Sequence, residues 1–219
     1  MSDIKTNTWN LDSIEKSLNS AFDNDSEIEL LSILKDNSFL FYELYSRKYE
    51  IRPVFKEISF GDTFRCDYAW LNDNSDGPEW VLVEVEKPKM NLFTKKEEPT
   101  AALNHALGQL ESWERYFEEN SNEKSRIFGA VAKFRYILVA GSIEEWQTES
   151  AKKWRIHHHK KSNFEIRSTD VFKRPLEILR NKPEELWSFK ENPIALKHSD
   201  LKTFWENCPY MDSWRRILH

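Results

Sequence analysis

Two carboxylates spaced two residues apart at the end of an apolar run are the first feature of this sequence able to do chemistry. Residues 80–86 read WVLVEVE and are followed by Lys87 and Pro88. Three valines in close order make the run a strand, and Pro88 ends it. Side chains on a strand alternate between faces, so Glu84 and Glu86 point the same way and Lys87 nominally the other. With Asp67 from a neighbouring strand they make an oxygen-rich pocket, the environment hard divalent cations such as Mg2+ or Mn2+ prefer. A cation held there can polarise a phosphate, activate water and stabilise a leaving oxygen. An isolated E-x-E pair is more often a solvated strand face. The elements around it therefore decide.

Residues 26–46 carry Ile28, Leu31 and Leu34, then Phe39, Tyr42 and Tyr45, near helical spacing, with a break at 36–38. Residues 54–60 and 63–71 alternate as two strands turning at Gly61-Asp62, and the polar stretch 72–79, NDNSDGPE, reads as a loop. Thr100 caps a predicted helix that runs to about Glu119. Residues 134–140, FRYILVA, form a fourth strand; a helix follows through Trp154, and 163–167 adds a short strand. The remainder is helical in pieces interrupted by Pro175, Pro183, Pro193 and Pro209. This order predicts an α/β fold with a mixed β-sheet flanked by helices.

The arrangement RCDYAWL, WVLVEVEKPK and ALNHALGQLESWERY, in that order, resembles the PD-(D/E)xK nuclease superfamily, and more closely the nuclease domain of the Shedu anti-phage defence proteins. The resemblance implies a restriction-endonuclease-like core and metal-assisted hydrolysis of DNA, by nicking or cleaving, in a protein that assembles into a homo-oligomer. It implies that Asp67 and Glu84 hold Mg2+ or Mn2+, with Glu86 as an added ligand or base and Lys87 and Gln109 as auxiliary groups. An additional glutamate belongs on the preceding acidic helix. Glu27 and Glu29 both lie near that place, and Glu29, beside the apolar stripe, is the preferred one. One position departs from the family pattern. The usual lysine slot, two after the first acid, is Glu86, and the lysine stands one later at Lys87. A catalytically inactive module that binds nucleic acid or a partner protein is the alternative.

The net charge of −5 is unevenly spread: residues 11–36 are acidic, whereas 152–161, KKWRIHHHKK, are basic. Local fields steer phosphates more than totals do. Lys89, Lys95 and Lys96 after the carboxylate strand, with Lys152, Lys153, Arg155, Lys160 and Lys161, are the candidates for DNA backbone contact. Five glycines, with neither dinucleotide nor P-loop pattern, argue against a phosphate-cradling loop. No apolar run reaches the roughly 20 residues of a membrane span, and no basic-then-apolar leader opens the chain. Cys66 and Cys208 have no metal-ligand spacing and suggest no disulfide framework. A cytoplasmic protein without membrane contact is the reading. The expected organisation is an N-terminal segment (1–25), a nuclease-like domain (26–180) and an aromatic-rich helical extension (181–219) packed on the core or at a subunit contact.

Overall fold

The computed structural model describes residues 9–158 and 163–218. Helices α1 (Leu11–Asp23) and α2 (Glu27–Asp36) lead into a 3-10 segment, Ser38–Leu44, and then into the strands β1 (Phe55–Phe60), β2 (Phe64–Asn74) and β3 (Gly77–Val85). Helices α3 (Ala101–Glu119) and α4 (Ser121–Phe128) precede β4 (Lys133–Val139). The chain continues through α5 (Ile143–Trp146), α6 (Glu149–His158), β5 (Phe164–Arg167) and α7 (Arg174–Asn181), and ends with β6 (Leu196–Lys197), α8 (His198–Glu206) and α9 (Pro209–Leu218). The six strands form one sheet in the order β5-β4-β3-β2-β1-β6. β1, β2 and β3 are antiparallel neighbours, while β3, β4 and β5 run parallel, as do β1 and β6. This is a mixed sheet flanked by helices, consistent with a restriction-endonuclease-like α/β fold.

Both sheet faces are covered, which is why β3 and β4 are apolar on successive residues. One face packs Leu82, Trp80 and Leu138 against α3, α4 and α8; the other packs Val81, Val83 and Ile137 against α1, α2, the 3-10 segment and α7. Helix α3 shows why the site is rigid. Thr100 Oγ1 accepts the Leu103 N–H at 3.4 Å, and Leu103, Ala106, Leu107, Leu110, Trp113 and Phe117 are all buried. The large side chains in that stripe contribute roughly 1.5–3 kcal/mol each.

Two expectations need correction. Residues 72–79 are not a loop: β2 and β3 pair down to Asn74↔Gly77, which leaves Ser75-Asp76 as a two-residue turn. Cross-strand bonds outweigh the weak strand propensity of the polar run, and Asn72 Nδ2 reaches Glu79 Oε2 at 2.7 Å. The helix expected through Trp154 is split into α5 and α6. Glu145, the last acid of a capping box with Ser142, also accepts the Leu92 N–H at 3.2 Å, which ties α5 to the preceding loop. Helix α1, within the N-terminal segment, buries Ile14, Leu18, Ala21 and Phe22.

Candidate active site

The sheet forks at the candidate site. β2 and β3 pair no further than Tyr68↔Val83, beyond which β2 stays with β1 and β3 stays with β4 as far as Val85↔Val139. The Val85 N–H lacks a β2 carbonyl there, and Asp67 Oδ2 takes it at 2.9 Å. The side-chain alternation slips at the same place. Cys66 and Ala69 both enter the α3-side core although they are three apart, and Phe55 and Ile58 do the same on β1. Between the latter two, Glu57 has φ +53°, a left-handed backbone that costs a non-glycine residue about 1–2 kcal/mol. Fork and slip together bring the Asp67 carboxylate to the end of β3.

Glu84 meets it there. Gln109 Nε2 on α3 donates to Glu84 Oε1 at 2.6 Å, whereas Glu84 Oε2 is buried without a hydrogen-bond partner among the described residues. The pleat continues one residue beyond β3, since the Glu86 N–H donates to the Val139 carbonyl at 2.8 Å. Glu86 therefore lies on the Glu84 side. Burial, with the Asp67 and Glu86 charges adding to it, holds the Glu84 carboxyl well above the usual carboxylate range. Burial also raises Asp67, against the pull of the Val85 N–H. Glu86 is pushed up to about 7 by burial and by the charges of Glu27 and Asp67, while Lys87 pulls the other way. Glu27, on α2, is raised by burial and lowered by Lys87. Four carboxylates thus share one poorly solvated place with one ammonium nearby.

A divalent cation fits this donor set. Among the described residues no three His, Cys, Asp or Glu side chains close into a ligand cage. Mg2+ rarely asks for one: it takes one or two carboxylates and completes its shell with water and phosphate oxygens. Asp67 and Glu84 supply two, one of them with a bare buried oxygen, and both line a cleft of about 970 Å³. Glu27, Gln109, His105 and Arg65 line it too.

Not every expected residue is there. Glu29 is exposed, its carboxylate accepting from Asn24 Nδ2 at 3.2 Å, and the helical glutamate at the cleft is Glu27. Glu27 at the first residue of α2 faces the sheet, whereas Glu29 two positions on is turned about 200° around the helix. Lys87 is exposed and does not line the cleft; its backbone carbonyl accepts from the Gly141 N–H at 3.1 Å. Lys89, Lys95 and Lys96 are exposed on the connection between β3 and α3, outside the cleft. Lys152, Lys153 and Arg155 stand on α6 and do not line the cleft, and Lys153 pairs with Glu149 at 2.9 Å. Lys160 and Lys161 lie outside the described residues. A cationic group escaped the sequence reading: Lys35, Lys56 and Arg65, from α2, β1 and β2, line a groove of about 330 Å³ that shares Asp67 with the main cleft. They come from three elements, so no run or spacing signals them. Only Arg65, two before Asp67, stands close to a motif.

No helix among the described residues is long and apolar enough to cross a membrane. A family model described as Shedu protein SduA, C-terminal, matches residues 24–172, from the turn before α2 to the 3-10 turn after β5. No curated protein matches the chain.

Proposed function

The chain belongs to the Shedu family, through the C-terminal region of SduA, which associates it with anti-phage defence, and on that premise we propose that it is a Mg2+- or Mn2+-dependent DNA endonuclease of the PD-(D/E)xK type. The observation that carries this reading is the forked sheet, where the half-buried carboxylates of Asp67 and Glu84 meet and the buried Glu84 Oε2 has no donor among the described residues. Asp67 and Glu84 would hold the ion, which when bound supplies charge for a phosphodiester and a more acidic water. Asp67 is kept in place by the Val85 N–H and Glu84 by Gln109. Glu86, with its carboxyl near neutrality, takes the proton of the attacking water, the work a general base does best when its pKa lies close to the working pH. Lys35, Lys56 and Arg65 hold the flanking backbone by charge.

The test is cleavage of supercoiled and linear DNA by the purified protein with Mg2+ or Mn2+. Wild type should nick or cut, and Asp67→Ala and Glu84→Ala should each lose about 100-fold or more, the usual cost of removing a charge-stabilising group. An inactive wild type on both DNA and RNA, with phage protection unchanged by both substitutions, would sink the reading. A second reading, a nuclease fold that binds without cutting, is favoured by one observation: Glu86 occupies the lysine slot and Lys87 lies outside the cleft. Mn2+ titration separates the two, since a working site binds the ion and Asp67→Asn abolishes that binding.

A further inference from the structure

A second concavity lies at the carboxyl ends of β4 and β5, along the edge of the sheet that carries Glu84 and Glu86 at the end of β3. Open α/β sheets bind ligands at such strand ends. Backbone bonds tie the row together: Gly141 N–H to the Lys87 carbonyl at 3.1 Å, then Thr169 N–H to the Gly141 carbonyl at 2.9 Å. Two strand spacings, roughly 10 Å, separate this pocket from Glu86. Its volume is about 270 Å³, and its polar lining comprises Lys152, Arg155, Arg167, Ser168, Asp170 and Arg174, with Gln147 beside them.

The charge there is unbalanced. Asp170 is the single acid of the lining, and both its oxygens are engaged, Oδ2 by the Ile143 N–H at 2.7 Å and Oδ1 by Lys173 Nζ at 3.0 Å. Arg167 pairs with Glu165. Lys152, Arg155 and Arg174 have no carboxylate within ion-pair distance among the described residues. Arg155 is half-buried and held over the Trp146 ring at 5.7 Å, and that ring is fixed by its Nε1 donating to the Ala140 carbonyl at 2.7 Å. Trp154, stacked on Trp146 at 6.0 Å, anchors α6 itself. Cations from three separate elements converge on one hollow with their acid already neutralised. An anion with several oxygens answers both the repulsion and the fork geometry of guanidinium.

We propose that this pocket, formed by α6, β5 and α7, is a phosphate-binding site built on Arg155, Arg174 and Lys152. The phosphate comes either from the backbone of DNA engaged at the fork, which rests on the nuclease reading, or from a free nucleotide, which does not. Binding of a duplex oligonucleotide and of pyrophosphate to the whole chain, measured in EDTA so that no cleavage intervenes, distinguishes the sources. Expected is a loss of about tenfold or more in one of the two affinities in the Arg155→Ala/Arg174→Ala variant, with partial retention in Arg155→Lys/Arg174→Lys. Loss confined to DNA, with a shallower salt dependence, assigns a backbone phosphate. Loss of pyrophosphate binding with DNA affinity intact assigns a free phosphate ligand. Unchanged affinities for both probes, or no binding of either by wild type, overturns the proposal. Arg174→Ala alone, an exposed change at the start of α7, repeats the measurement without disturbing the Trp146 contact. Asp67→Asn, measured in parallel for cleavage with Mn2+, reports on the nuclease reading separately, because the metal-free binding results stand whether or not the protein cuts.

Discussion

Glu84 holds the site's conflict in one side chain. Oε1 is bound by Gln109, Oε2 has no partner among the described residues, and Asp67 and Glu86 press on it with like charge. An uncompensated buried carboxylate costs stability. Glu84→Gln should therefore stabilise the metal-free protein by about 1–3 kcal/mol in denaturant melts while abolishing cleavage. Lower stability of the variant would mean that the carboxylate is already balanced. The same conflict sets a pH dependence. The folded-state pKa of Glu86, about 7, lies above its ordinary value of 4.5, so the folded form binds its proton more tightly. Stability from this group is fully present below about pH 4.5 and is lost as pH rises through 7. Solvent screening of a half-buried group limits the loss to about 1–2 kcal/mol. Without divalent ions the thermal midpoint should fall between pH 5 and 8; Mn2+ should restore it, and Glu86→Gln should flatten the slope. Glu27 and Glu29 give a third comparison. Glu27→Gln, at the cleft, should lower cleavage about tenfold, whereas Glu29→Gln should leave the rate within about twofold and cost only the few tenths of a kcal/mol of an acidic first-turn residue. Equal rates for the two variants would remove Glu27 from the site.

The elements explain why part of this was legible and part was not. α3 declared itself by Thr100 and by apolar residues at helical spacing, and β3 by its valines before Pro88. Strand alternation put Glu84 and Glu86 on one side because the pleat is local. The fork is not local: it depends on where β2 leaves β3, and Glu57 φ +53° has no signature in an exposed glutamate. Nor could spacing choose Glu27 over Glu29, since the rotation of α2 against the sheet is fixed by Leu30 and Leu34 meeting the opposite core. The hairpin hidden in NDNSDG makes a test of its own. Gly77, opposite Asn74, has φ +123°, and a Cβ there would stand 2.5 Å from Ala132 Cβ. Both backbone and space forbid a side chain, so Gly77→Ala should destabilise the protein by about 2 kcal/mol or more in equilibrium unfolding. A change under 0.5 kcal/mol would show that the turn relaxes freely and that the β2–β3 register near it is not fixed.

At the scale of the molecule, the family-matched stretch 24–172 does not contain all that covers the sheet. β6 lies beside β1, pairing Phe55 with Leu196, and α8 and α9 then bring Leu201, Trp205, Cys208 and Met211 into the core on the α3 side. Trp205 Nε1 donates to the Ile127 carbonyl at 3.0 Å at the end of α4, and Tyr210 Oη donates to the Asn74 carbonyl at 2.6 Å at the hairpin. The aromatic C-terminus therefore clamps the turn before β4, the strand that pairs with β3, and the hairpin joining β2 and β3, which carry Asp67 and Glu84. Four buried side chains at roughly 1.5–3 kcal/mol each rival the whole stability of a domain, about 5–15 kcal/mol. Ending the chain after residue 194 would also uncover Phe55, Trp80 and Phe128, which are fully buried in the intact protein. The truncated chain should show no cooperative unfolding transition by tryptophan fluorescence, and it should lose Mn2+ binding along with it. A cooperative transition within about 2 kcal/mol of the intact protein, with Mn2+ still bound, would mean instead that the fork is held by α3 and the opposite core without the C-terminal clamp.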